Sequence, residues 1–186
     1  MMKSFLALVL VLCLASVAGA ALQISVDGDQ NPGDDITIWV NDSVTIDIWT
    51  DAAIEPYAGV SYLVGVDASL GSFDWSGATF TPIQGTNEIA GSWPGGSLPD
   101  PPAGVEGFHG TVFNTGTTDV ASGTVLVDDI VFQCLGEGDA VITLYHLLGT
   151  GEIPEFDSVT IHQIIPEPGT LALMGFGAFL LRRRRG

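Results

Sequence analysis

Ile36-Thr37-Ile38-Trp39-Val40-Asn41-Asp42-Ser43-Val44-Thr45-Ile46-Asp47-Ile48-Trp49 is the stretch that decides the fold class. Ile36, Ile38 and Val40 alternate with Thr37 and Trp39, and Val44, Ile46 and Ile48 alternate with Thr45, Asp47 and Trp49. A period of two sends successive side chains to opposite faces of an extended strand, whereas a 3.6-residue helix would mix the two sets. Each run is therefore a strand with one apolar face. If the runs form a hairpin, directly opposed residues share a face, so the two apolar sets must meet. Pairing Val40 with Val44 and Ile38 with Ile46 achieves this and leaves Asn41-Asp42-Ser43 as a three-residue loop. In that register Trp39 and Trp49 both fall on the other face. The same runs also fit an arch whose strands join different sheets, in which case the register fails.

The period of two recurs on both sides of this stretch. Residues 22–26, 36–40, 44–50, 60–68, 78–83, 107–113, 124–134, 140–148 and 158–165 read as short strands between Gly, Asp, Asn and Pro turns, and no helical periodicity interrupts them. Nine such strands predict an all-β fold, a single jelly-roll-like β-sandwich over residues 21–165. A body of that length buries enough surface to fold without a disulfide or metal. Residues 85–104, with Pro94-Gly95-Gly96 and Asp100-Pro101-Pro102, are too long and broken for a simple turn and are expected to form a surface loop or a poorly ordered excursion.

Charge separates the body from its ends. The chain has 186 residues, 22 acidic and 5 basic side chains, and a net charge of −17. The bases are Lys3 and Arg182, Arg183, Arg184 and Arg185, so the span between them carries no Lys or Arg. Without its two ends the body, residues 21–165, carries −21, since Glu167 leaves with the five bases. Such a surface has no footprint for phosphate backbones, which excludes nucleic acid as a partner, and it is repelled by anionic lipid.

Residues 1–20 read as a secretory signal: Lys3, an apolar run from Phe5 to Leu14, then Ala18-Gly19-Ala20, an A-x-A site that leaves Ala21 as the mature N-terminus. Bulky Leu12 before Cys13 argues against a lipoprotein signal. Removing the signal leaves Cys134 as the one thiol, on an apolar strand face with Ile130 and Phe132, where a buried inert thiol is expected.

At the other end, Pro166-Glu167-Pro168 stops any regular structure, because each proline fixes its own φ and disfavours helix before it. Leu171 to Leu181 are then apolar, interrupted by Gly175 and Gly177, Arg182–Arg185 close the run, and a helix is expected over residues 169–181. As a helix these residues span about 20 Å against a hydrocarbon core of about 30 Å, a marginal crossing suited to a temporary tether. The arginines place the tail in the cytoplasm and the body outside.

Pro166-Glu167-Pro168, Gly169-Thr170-Leu171-Ala172-Leu173, the glycine-containing apolar run and Arg182–Arg185 together resemble the PEP-CTERM sorting signal of biofilm-forming Gram-negative bacteria. The resemblance covers residues 166–186 alone. It implies that an exosortase, a transpeptidase-like membrane enzyme, removes the helix and arginines. The body would then pass from an inner-membrane intermediate to the envelope, outer surface or exopolysaccharide matrix. A tail anchor that is never cut has the same layout. Segments of this kind also carry the label ice-binding protein C-terminal domain, which concerns the tail and implies no ice binding. Residues 44–49, 59–67 and 124–148 (Ser122-Gly123-Thr124-Val125, Asp129-Ile130-Val131-Phe132, then Gly138-Asp139-Ala140-Val141-Ile142-Thr143-Leu144) look like the cohesin-like nine-stranded jelly roll, a fold shared with several carbohydrate-binding modules. That resemblance implies a scaffold recognising a dockerin-type protein or a polysaccharide, although fold alone does not decide function.

Within the body, Asp27, Asp29, Asn31, Asp34 and Asp35 form an acidic loop that could converge on calcium. The EF-hand template fails, because Pro32 and Ile38 stand where its glycine and its glutamate are required. Asp128-Asp129, Glu152, Glu155 and Asp157 read as solvated surface. Trp39, Trp49, Trp75 and Trp93, with Tyr57, Tyr62 and Tyr145, are candidate stacking faces for sugar rings, and the hairpin makes Trp39 and Trp49 the best pair. Aromatic strand residues more often pack between sheets. Catalysis finds little support: His109, His146 and His162 have no zinc spacing, no G-x-S-x-G elbow occurs, and no phosphate-cradling glycine motif exists. The expectation is a non-catalytic exported protein with a structural or adhesive role, or a specific binding module, and no obligatory cofactor.

Overall fold

The computed structural model describes residues 21–33, 36–93 and 98–165. Among them the regular elements are strands: β1 (Leu22–Val26), β2 (Ile36–Trp39), β3 (Ser43–Thr50), β4 (Gly59–Asp67), β5 (Gly71–Asp74), β6 (Thr79–Phe80), β7 (Gly85–Trp93), β8 (Val105–Asn114), β9 (Val125–Cys134), β10 (Gly138–His146) and β11 (Glu155–Ile164). They form two sheets. One runs β1-β3-β9-β5, with β6 also paired to β9; the other runs β2-β11-β10-β4-β8-β7. All the strand pairs are antiparallel except β2 with β11.

The two sheets face each other across the alternating apolar sets. Val44, Ile46 and Ile48 of β3 and Ile130 and Phe132 of β9 meet Tyr62, Val64 and Val66 of β4 and Ala140, Ile142 and Leu144 of β10 in one buried cluster. Each large side chain of this kind contributes about 1.5–3 kcal/mol on burial, so the cluster is the main source of stability. Cys134 is a free thiol buried in it. Burial and the nearby Asp42 charge push that thiol's pKa up. At one edge the Asp157 carboxylate accepts the Ile24 N–H at 2.8 Å and so clasps β11 of one sheet to β1 of the other.

The hairpin expected over residues 36–49 does not form. β2 pairs in parallel with β11, Ile38 beside Gln163 and Trp39 beside Ile164, while β3 lies between β1 and β9 in the opposite sheet. Residues 40–42 form an arch between the sheets, with Asn41 at φ 75°. The Asn41 N–H donates to the Cys134 carbonyl at 3.2 Å and the Asp42 N–H to the Trp39 carbonyl at 2.9 Å. The physical reason is simple. Strands in facing sheets point the same alternating set into the same core as hairpin partners would, so the period specifies the inward face and not the sheet.

Two strands were not expected. β5 is short and begins at a glycine. β7 occupies the first half of the tract read as a loop; it is an edge strand whose alternation is weakened by glycines and polar residues. Conversely, the strand expected at 78–83 shrinks to Thr79–Phe80. The described remainder of the 85–104 tract is pinned, with the Ala68 N–H donating to the Gly104 carbonyl at 2.7 Å and the Trp93 indole N–H to the Pro99 carbonyl at 2.8 Å. The expected signal peptide and the sorting segment with its helix lie outside the described residues. No helix of the described residues is long and apolar enough to cross a membrane.

Candidate functional site

The structure separates the two tryptophans expected to act together. In β2, Ile36 and Ile38 pack on the core, so Trp39 points from the outer face of its sheet, 45% exposed. In β3, Val44, Ile46 and Ile48 point inward, so half-buried Trp49 lies on the outer face of the other sheet. Outer faces of two packed sheets look away from each other. Trp39 and Trp49 therefore cannot form one platform, and the cause is the arch.

In the acidic loop, two of the carboxylates make local hydrogen bonds. Asp27 Oδ1 accepts the Thr45 N–H at 2.9 Å and the Thr45 hydroxyl at 3.1 Å, and Asp29 Oδ1 accepts the Asn31 N–H at 3.0 Å. Asp27 and Gly28 turn the chain with φ of 50° and 79°. Asp34 and Asp35 lie outside the described residues. Among the described residues no three His, Cys, Asp or Glu side chains gather where they could hold a metal. Asp128 is exposed, as expected, but Asp157 is not simply solvated surface. Asp157 is the clasp described above. The Asp128 carboxyl is raised above its ordinary pKa, first by a hydrogen bond with Asp47, then by loss of solvation and by the Asp47 charge. Buried Asp47 accepts from the Ser25 hydroxyl at 2.8 Å and the Asp129 N–H at 3.2 Å. Alternation along β3 gave no sign of this burial, since it puts Asp47 on the polar face with Thr45 and Trp49.

A different aromatic group does come together. β5 and β7 are the edges of their sheets, and between them opens a cleft of about 290 Å³ lined by Phe73, Trp75, Ser92, Trp93, Glu106 and Gly107. β5 carries Phe73 into edge-on contact with Phe108, centroids 5.4 Å apart, and the next turn lays Trp75 against the same ring at 5.2 Å. Both remain half-exposed. Trp93 is 1% exposed: its ring packs on Tyr145 and over Gly65, where an added Cβ would come within 2.9 Å of it. Trp93 is thus a wall, and Trp75 is the tryptophan of the cleft with a face to offer. Ser92 supplies a hydroxyl and Glu106 a carboxylate. The volume lies near the lower end of the range for small-molecule sites, about 300–1,000 Å³. With no Lys or Arg in the body, the cleft suits a neutral ring with hydroxyls that donate to Glu106.

A second cleft, of about 310 Å³, borders Gln84, Asn114 and Thr118. The Asn114 amide is committed there, donating to the Ile54 and Thr118 carbonyls and accepting the Gly116 N–H, and so braces a loop.

The two ends of the body are set by the strands: β1 begins at Leu22 and β11 ends at Ile164. Residues 165–185 match the PEP-CTERM protein-sorting motif. The motif marks the chain as an exported protein, tethered transiently to the membrane and sorted to the envelope or beyond. No curated protein matches the chain. Among solved structures, the chain is similar to a cohesin module from a family 33 glycoside hydrolase of Clostridium perfringens, with 11% identity and a TM-score of 0.43 over 78% of this chain and 99% of that one. It is also similar to the seventh ScaB type I cohesin from Pseudobacteroides cellulosolvens, with 13% identity and a TM-score of 0.41 over 79% and 94%.

Proposed function

We propose that this chain is a non-catalytic protein of the cell envelope or extracellular matrix, released from its tether by an exosortase that cuts near Pro166-Glu167-Pro168, with a structural or adhesive role in place. The observation that supports it is the sorting motif, joined directly to a folded acidic body. Mass spectrometry of the released protein is the test. The expected termini are Ala21 and a residue near Pro166–Pro168, and Arg182–Arg185 still present in released material would exclude the processing step.

A second reading has its own observation, the cleft of half-exposed Phe73 and Trp75 beside Ser92 and Glu106. There the body binds a neutral saccharide, the indole stacking on a ring face and the carboxylate accepting hydroxyl hydrogens. Affinity electrophoresis in gels carrying the producing organism's own polysaccharide checks this. Trp75→Ala should remove most of the retardation, about tenfold or more in affinity for a lost stacking contact of about 1–2 kcal/mol. Trp39→Ala and Trp49→Ala should not change it. Equal retardation of Trp75→Ala and the parent protein would exclude the cleft.

A further inference from the structure

The sorting motif begins at residue 165 and β11 ends at Ile164, so no spacer separates the last strand from the sorting segment. The fold itself holds Ile164: it sits beside Trp39 in the parallel pair, and its carbonyl accepts the Val40 N–H at 3.0 Å. The arch after Trp39 is stitched to the end of β9, where the Cys134 N–H donates to the Asp42 carbonyl at 3.0 Å. Leu135 follows that join. One end of the sandwich therefore exposes Trp39 (45%), Leu135 (48%), Ile164 (42%) and Ile165 (55%), half of the eight large apolar side chains exposed among the described residues.

Chain length limits how far this end stands from a membrane. From Ile165 to Gly169, the first residue of the expected membrane helix, there are four peptide steps. Fully extended along the membrane normal they reach at most about 14 Å. The headgroup zone takes up about 5–8 Å of that on each side of the bilayer. The end of the sandwich can therefore stand no more than about 6–9 Å clear of the headgroups, and a path shorter than about 8 Å brings it into them.

We propose that in the tethered precursor this end of the sandwich rests on the bilayer, with Trp39, Leu135, Ile164 and Ile165 in the headgroup region. The proposal depends on residues 169–181 serving as the membrane segment. Tryptophan is favoured at that depth, and aliphatic side chains gain by leaving water there. Asp42 and Glu137 flank the patch and would be repelled by anionic lipid, so the matching surface is zwitterionic. Four side chains are too little to hold an acidic body at a membrane by themselves, so cutting the tether would also end the contact.

The test uses the full chain, purified from membranes of a host that carries no sorting enzyme and reconstituted in phosphatidylcholine vesicles containing lipid brominated near the headgroup. Flotation reports the tether, and tryptophan emission reports the contact. The expected result is a floating chain whose emission is quenched by the brominated lipid. Trp39→Phe should remove nearly all of the quenchable part, and Ile165→Asp should reduce it at least twofold. A chain that floats with quenching unchanged in Trp39→Phe, or with Trp39 freely quenched by aqueous iodide, overturns the contact and leaves the tether standing. Shielding of Trp39 from both quenchers also overturns it and assigns the patch to a second copy or another protein. Failure to float overturns the tether and the contact together.

Discussion

Asp47, buried where alternation puts a polar outward face, shows how a residue's surroundings reverse its reading, and it couples to the exposed Asp128. Paired carboxyl groups that share a hydrogen bond hold their proton more tightly than separate ones. The Asp128 pKa is raised, so its favourable contribution is fully present below the ordinary carboxylate pKa and is lost as pH rises through the raised value. At neutral pH the two charges oppose each other. Asp128→Asn keeps a donor for Asp47 and removes one charge. We expect it to raise Tm by about 1–3 °C near pH 7, a small gain because the group is largely solvated, and to lose that gain near pH 3. Thermal melts across pH check this, and an equal or lower Tm for the variant at neutral pH would contradict it. Composition could not supply the pairing, because 22 acids in one chain make any chosen pair uninformative.

At the scale of elements, most strands were legible. Expected residues 22–26 coincide with β1, and the expected strands near β3, β4, β8, β9, β10 and β11 fall within two or three residues of their observed ends. Most of these strands have one buried and one polar face, where a period of two is enforced by burial; β4, buried on both faces, was found from its run of apolar and β-branched residues. β7 was missed because an edge strand needs no continuous apolar face; its inward residues, Asn87 and Ile89, are diluted by exposed neighbours. The partner of β2 was missed for a different reason, since parallel pairing with a strand more than a hundred residues away leaves no local mark. A cross-link decides between the two arrangements. Cysteines at Thr37 and His162, which are register partners, should form a disulfide under mild oxidation, while cysteines at Trp39 and Thr45, opposed in the rejected hairpin, should not. A gel shift under non-reducing conditions reads the outcome. Cys134 will not compete, being buried in the core.

For the whole molecule, the sequence by itself determined the sorting address and the class of the cargo. The sorting motif is a contiguous stretch whose meaning lies in order and composition, as is the leader expected at 1–20, and the period of two fixed an all-β body. The distribution of charge argues against nucleic acid as a partner, because five bases confined to the two ends cannot form a surface. Only the tertiary structure decided which side chains meet. It parted Trp39 from Trp49, brought Phe73 and Trp75 to Ser92 and Glu106 across two sheet edges, joined Asp47 to Asp128, and set Trp39 beside the last residue before the tether. The physical reason is that alternation reports whether a side chain faces the core, a local property of one strand. Which strand lies opposite depends on long-range pairings that satisfy the same alternation equally well.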